Sequence, residues 1–283
     1  MPTSSRSGPL SSTPSAASAS SPSTVEKKPD MTNYRISFQL YSARKFPPVA
    51  AQLEALAAIG YDAVEPYGGA YQGDVGGFRR QLDAAGLACP TAHMPLADLD
   101  ADRAAVIGQA QTLGLETVVV PHIAAPERPA DATGWKAIGA RLTAHAAALA
   151  EKGLKLAWHN HDFEYRPLPD GSRPIDHLIG AAGVLFEPDI GWIVRAGKSP
   201  AEEIGKFPGK VAAFHVKDIA PAGVTKDDGW TDVGSGTVDW RGLWPAISGS
   251  GANLLVLEHD APSDWRGFAT RSFTYLSKLT GRG

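Results

Sequence analysis

Cysteine is almost missing from this chain: Cys89 stands alone among 283 residues, so no disulfide can form within it. The fold must then rest on burial, which a domain of this length can supply. An excess of positive charge is also missing, with 27 Lys and Arg set against 30 Asp and Glu for a net charge of −3. A nucleic-acid-binding domain would carry a clustered basic face, so no nucleic acid partner is expected. No run of about 18 apolar residues occurs, and no membrane-crossing helix is expected. The Gly-rich phosphate fingerprint of a dinucleotide-binding sheet is absent too. The turn after the first apolar run reads Tyr41-Ser42-Ala43-Arg44, which argues against an open doubly wound sheet.

Residues 1–30 are rich in Ser, Pro, Thr and Ala and offer almost nothing to bury. A disordered tail is expected there. A secretory signal needs a charged start and an apolar run of about 7–15 residues, and no such run is found. The expected location is cytoplasmic, with the periplasm as the alternative if the tail follows a removed signal.

What is present from residue 34 onward is alternation. Short apolar runs fall at Tyr34–Leu40, Ala63–Pro66, Ala88–His93, Thr117–Pro121, Lys155–His161, Val184–Pro188, Val211–Val216 and Asn253–Glu258. Ala- and Leu-rich helical segments separate them, among them Pro48–Ile59, Ala101–Leu113, Gly134–Lys152 and Trp265–Leu279. Glycines at 60, 86, 114 and 153 close several helices, as left-handed caps should. Eight strand–helix units predict an α/β fold, a single (β/α)8 TIM barrel over residues 31–283.

Polar residues at the strand ends carry the chemistry. In such a barrel all C-terminal strand ends share one face, where active sites form. Strand by strand the chain offers Gln39, Glu65, His93, His122, then His159-Asn160-His161-Asp162-Phe163-Glu164. Glu187-Pro188-Asp189, His215 with Lys217-Asp218, and Glu258-His259-Asp260 follow. One such residue alone reads as a helix cap or a structural histidine. Eight ends together would bury many ionisable groups, which is costly without a cation. A divalent ion resolves that cost. Mixed carboxylate and imidazole donors suit Mn, Mg, Co, Zn or Fe without choosing among them. Side-chain alternation turns His215 and Lys217 into the barrel and leaves Phe214 and Val216 for the helices. It places His159 and His161 on one side and Asn160 on the other.

With these residues in order, the chain resembles the xylose isomerase-like TIM barrels, a group of sugar phosphate isomerases and epimerases. The matching pieces are Gln39-Leu40-Tyr41-Ser42, Val64-Glu65, His159 to Glu164, Asp189-Ile190-Gly191-Trp192, His215-Val216-Lys217-Asp218, Gly234-Ser235-Gly236 and Leu257-Glu258. The resemblance implies metal ligands at Asp189, His215 and Glu258. Many members read Glu-Asn-His where this chain has His159-Asn160-His161, so the fourth ligand is either His159 or Glu164. Glu164 is favoured because a second carboxylate balances charge.

The resemblance also implies a sugar or keto-sugar substrate, with Glu258 as base and Glu164, His159, His161 and Lys217 as further catalytic candidates. Gln39, Glu65, His93, His122 and Trp192 are candidate substrate contacts. A lyase or hydratase on 3-keto-glycosides is the alternative, and a sugar-binding barrel without turnover is the third reading. Gly234-Ser235-Gly236 before a helix could cradle phosphate, but a tight turn is the plainer interpretation. No patch diagnostic of self-association is evident, and a homo-oligomer stays open.

Overall fold

The computed structural model describes residues 34–71 and 73–282, with Ser4, Ser5 and Gly8 besides. The tail expected over residues 1–30 otherwise falls outside the described residues. The frame is a ring of eight parallel strands: β1 Arg35–Gln39, β2 Ala63–Glu65, β3 Thr91–His93, β4 Thr117–Val120, β5 Lys155–His159, β6 Val184–Glu187, β7 Phe214–Val216 and β8 Leu254–Leu257. Two arcs compose it, β2-β1-β8-β7 and β3-β4-β5-β6. Between the arcs only isolated parallel bridges close the ring. They join Ala63 to Ala88, Tyr67 to His93, Phe186 to Val211, and Asp189 to His215.

Around the ring lie α1 Val49–Ile59, α2 Val75–Ala85, α3 Leu96–Leu113, α4 Ala132–Ala150, α5 Pro174–Ile179, α6 Ile190–Arg195, α7 Pro200–Gly205, α8 Trp240–Gly249 and α9 Trp265–Leu279. A single helical turn, Gly68–Tyr71, sits between β2 and α2. Gly60 and Gly114 end α1 and α3 with φ of 110° and 75°, a backbone region where a side chain is strained. Aspartates 74, 131, 239 and 264 cap the starts of α2, α4, α8 and α9 by accepting a backbone N–H. Among the described residues no helix is long and apolar enough to cross a membrane.

Alternation separates two apolar layers. Phe214 and Val216 of β7, and Leu255 and Leu257 of β8, join the large cluster packed between strands and helices. Their neighbours Ala213, Leu254 and Val256 form a small cluster of their own. These share the strand face of His215 and Glu258, so a short apolar floor lies beneath the ionisable mouth. The strands stop a residue or two earlier than the apolar runs suggest. β5 ends at His159 and β6 at Glu187, because the residues beyond turn out of the ladder to build the mouth.

Helix α3 also differs from the sequence reading. It starts at Leu96, and Asp102 breaks it with φ −152° and ψ 83°. Asp102 Oδ1 accepts the Ala105 N–H at 2.9 Å and caps the longer half, which explains why the periodic pattern begins near Ala101.

Candidate metal centre

The strand ends meet as their spacing demands. Four donors at the ends of four strands converge: His159, Asp189, His215 and Glu258 offer ligand atoms that all lie within 4.8 Å of one another. A second set, His93, His159, Glu187 and His215, meets the same limit. All of these side chains are buried.

His215 stands at the centre. Its Nδ1 lies 3.0 Å from Glu258 Oε2, and its Nε2 lies 2.7 Å from Glu65 Oε1 and 3.2 Å from Glu187 Oε2. Its ring stacks on that of His93, with centroids 5.2 Å apart and planes 7° from parallel. His93 Nε2 in turn lies 3.0 Å from Glu65 Oε1 and 3.1 Å from Glu187 Oε2. Burial lowers the affinity of both rings for protons, but the flanking carboxylates prevail. They hold His93 at about 9 and His215 well above the ordinary histidine range. His159 has the opposite balance. Burial and the neighbouring His215 and His93 push it well below that range, so it is a neutral imidazole.

The carboxylates divide in the same way. Burial opposes ionisation of Glu65, yet His93 and His215 hold it well below its usual value. Glu258 is held down by Lys217 and His215 against its own burial. Asp189 is pushed up to about 7, because burial and the charge of Glu258 outweigh the help from Lys217 and His215. Asp189 Oδ1 accepts the Trp192 N–H at 2.8 Å and caps α6, while its backbone N–H donates to Asn160 Oδ1 at 2.9 Å. Its Oδ2 lies 3.9 Å from His159 Nε2 and 3.9 Å from His215 Nδ1.

Several buried polar atoms here lack a hydrogen-bond partner, among them Asp189 Oδ2, Glu65 Oε2, Glu187 Oε1 and His159 Nδ1. Each such atom costs about 1–3 kcal/mol. A divalent cation fits this donor set, since carboxylate oxygen and imidazole nitrogen are its ordinary protein ligands, and on His215 it would take the place of the ring proton.

Glu164 is placed elsewhere. The 3-10 turn Phe163–Tyr165 folds its carboxylate back, so Oε2 accepts the His161 N–H at 2.8 Å and Oε1 accepts the Trp158 indole N–H at 3.1 Å. Burial lifts it to about 8. Of the two candidates for the fourth ligand, the structure brings His159 to the cluster and keeps Glu164 outside it.

A cavity of 320 Å³ opens above the donors. His93, His122, His159, His161 and Glu258 line it, with Tyr41 and Tyr67 on the wall. Those two rings meet edge to face at 5.3 Å. Gln39 and Glu65 lie below, joined by a 2.7 Å hydrogen bond, and Trp192 packs edge to face against Trp230 at 4.9 Å. These three do not line the mouth. Lys217 Nζ sits 3.1 Å from Glu258 Oε2 and 3.5 Å from Asp189 Oδ2, and also contacts Asp260. Glu187 and Asp260 were visible at strand ends but carried no assigned role. Their signal was position, two residues from a proposed ligand at the end of β6 and just past the end of β8.

The Gly234-Ser235-Gly236 turn holds no room for phosphate. It wraps the protein's own Asp218, whose Oδ2 accepts N–H groups from Gly234 at 2.9 Å and Gly236 at 3.3 Å and the Trp240 indole at 2.9 Å. Its Oδ1 accepts those of Ile219 at 2.9 Å and Val238 at 3.2 Å.

Comparison with known proteins agrees with this architecture. A family model described as xylose isomerase-like TIM barrel matches residues 53–278. Among curated proteins no sequence matches the chain. A solved sugar phosphate isomerase/epimerase from Parabacteroides distasonis is 18% identical, with a TM-score of 0.73 over 90% of this chain and 97% of that one. The IOLI protein with a bound zinc atom is 14% identical, with a TM-score of 0.72 over 88% and 98%. The probable 3-DHS dehydratase AsbF of Bacillus anthracis is 11% identical, with a TM-score of 0.69 over 88% and 100%. At these identities the likeness is one of fold.

Proposed function

The chain belongs to the xylose isomerase-like TIM barrel family, and on that premise we propose that it is a divalent-metal-dependent enzyme that moves a proton next to the carbonyl of a sugar or keto-sugar, as an isomerase or epimerase does. The observation that carries the reading is the convergence of His159, Asp189, His215 and Glu258 at the ends of four separate strands. These four would hold the ion. When bound, the ion would supply Lewis-acid polarisation of a sugar carbonyl or hydroxyl.

The rest falls to side chains. Glu258 faces the mouth and accepts the C–H proton beside the carbonyl. Lys217, 3.1 Å from that carboxylate, keeps it ionised and fixes its direction. His161 lies across the cavity. Burial and Lys217 push its ring well below the ordinary range, which leaves it neutral and able to accept a hydroxyl proton. His93 and His122 line the same cavity and hold substrate hydroxyls. The Tyr41 and Tyr67 rings offer apolar faces to the C–H side of a sugar ring.

Elimination on a keto-glycoside is the second reading, and one observation favours it. Two-base epimerisation calls for a carboxylate on each face of the substrate, and Glu164 is turned away toward Trp158 and His161. A single carboxylate base suffices for elimination.

The test is elemental analysis of the purified chain and of Asp189→Ala and His215→Ala, followed by incubation with metal and sugars in deuterated water. Metal in the parent and not in the variants, with solvent deuterium entering a substrate C–H position, supports the reading. Full metal occupancy in both variants defeats the ligand assignment. Release of aglycone from a 3-keto-glycoside selects elimination instead.

A further inference from the structure

We infer that the groove beside the mouth is a subsite for the uncharged, apolar aglycone of a glycoside whose sugar ring occupies the mouth; this rests on the sugar reading above. The groove measures 700 Å³ and runs between the start of α3 and the loop that leaves β4. Pro95 and His122 line both it and the mouth cavity, so the two spaces adjoin at these residues. Small-molecule pockets run about 300–1,000 Å³. The mouth alone sits at the lower end of that range, room for one ring, and the groove supplies room for a second group.

The chemistry of the groove sets the class of that group. Its floor is apolar, made by the buried Leu96, Ile123 and Ile138, and the exposed Ala97 and Ala124 also line it. Its charges are Asp100, Glu127 and Arg141, and Arg141 is already paired with Asp100. The remaining charge is therefore negative. No Lys or Arg lines the mouth cavity among the described residues, whereas Glu258 and Asp260 do. A phosphate in the groove would meet a carboxylate with no unpaired side-chain cation to receive it. An uncharged sugar carrying an apolar ring meets hydrogen-bonding histidines in the mouth and aliphatic carbon in the groove.

The experiment compares matched methyl and p-nitrophenyl glycosides in the gluco, galacto, manno and xylo series, by calorimetry on the full chain with Mn²⁺ present. At least one p-nitrophenyl glycoside should bind tenfold or more tightly than its methyl partner. Tenfold corresponds to about 1.4 kcal/mol, which burial of about 60 Å² of apolar surface supplies at about 25 cal/mol per Å². Ala97→Trp and Ala124→Trp each fill the groove and should bring the preference within twofold, with methyl glycoside affinity unchanged. The exposed positions make folding of both variants checkable by circular dichroism.

Equal affinity within every pair overturns the aglycone subsite and leaves the sugar reading standing. So does a preference that survives both Trp substitutions, or a disaccharide that gains as much as the aryl glycoside. Failure of every glycoside to bind removes the sugar reading and this inference with it.

Discussion

The Lys217 ammonium lies 3.1 Å from Glu258 Oε2, and both groups are buried. It also reaches Asp189 and Asp260. Removing one partner from a buried charged group costs about 3–5 kcal/mol. Lys217→Met should therefore melt about 6–20 °C below the parent in chelator, taking about 2–4 °C per kcal/mol for a domain of this size. Added Mn²⁺ should recover more of the loss in the variant than in the parent. Differential scanning fluorimetry reads both, and an unchanged melting temperature in chelator would remove Lys217 from this role.

The Asp218 loop predicts a steric result. A Cβ at Gly236 would lie 2.1 Å from Asp218 Oδ1 and 2.4 Å from the Ile219 carbonyl oxygen. Gly236→Ala should cost at least about 2 kcal/mol, by backbone displacement and loss of donors to a buried carboxylate. Ser235→Ala, at an exposed neighbour, should stay within about 0.5 kcal/mol. Urea unfolding of the pair decides it, and equal midpoints would refute the wrapped-carboxylate account.

His259 gives the acid limb of stability. Its ring is buried, its Nδ1 accepts the Ala261 N–H at 3.2 Å, and burial with the nearby Lys217 charge pushes it down to about 4. The unfolded chain binds this proton near pH 6.5, so stability falls as pH drops from about 6.5 through about 4. The loss from this residue is about 2–3 kcal/mol by pH 4, at 1.36 kcal/mol per unit. His259→Gln should flatten that part of the profile in urea titrations at pH 7, 5.5 and 4.5. Parallel profiles for parent and variant would count against it.

Cys89 should be silent until the barrel opens. Burial raises its thiol far above the ordinary value, and Sγ faces the Thr91 carbonyl oxygen at 3.7 Å. An aromatic disulfide reagent at pH 8 should label it at least ~100-fold more slowly in the native chain than in guanidinium. Since this is the only thiol, rapid labelling of the native protein would show that the segment before β3 is open.

Much of the fold was legible because a parallel barrel writes its strands as short buried runs. All eight positions were visible, and α9 matches the expected Trp265–Leu279. Strand ends were read too long wherever the polar tail of a run, such as Asn160-His161, curls into the mouth. The opposite sides taken by Phe214 and His215 were legible from alternation alone. Glu164 was not, because charge balance says nothing of local turns. A carboxylate three residues past His161 can reach that residue's own amide, and the Trp158 indole supplies the second donor. The pairing of Asp218 with the Gly-rich turn was equally hidden, since the two lie 16 or more residues apart.

The ring's construction has a mechanical corollary. Its arcs are continuous ladders, but at two junctions only isolated bridges join them. His159 and Asp189 belong to one arc and the loop that follows it, His215 and Glu258 to the other. A cation gripped by all four would act as a rivet across the joint between β6 and β7, so amide protons flanking Phe186–Val211 should exchange fastest when the rivet is withdrawn. Loading with metal would then make two half-cylinders behave as one body.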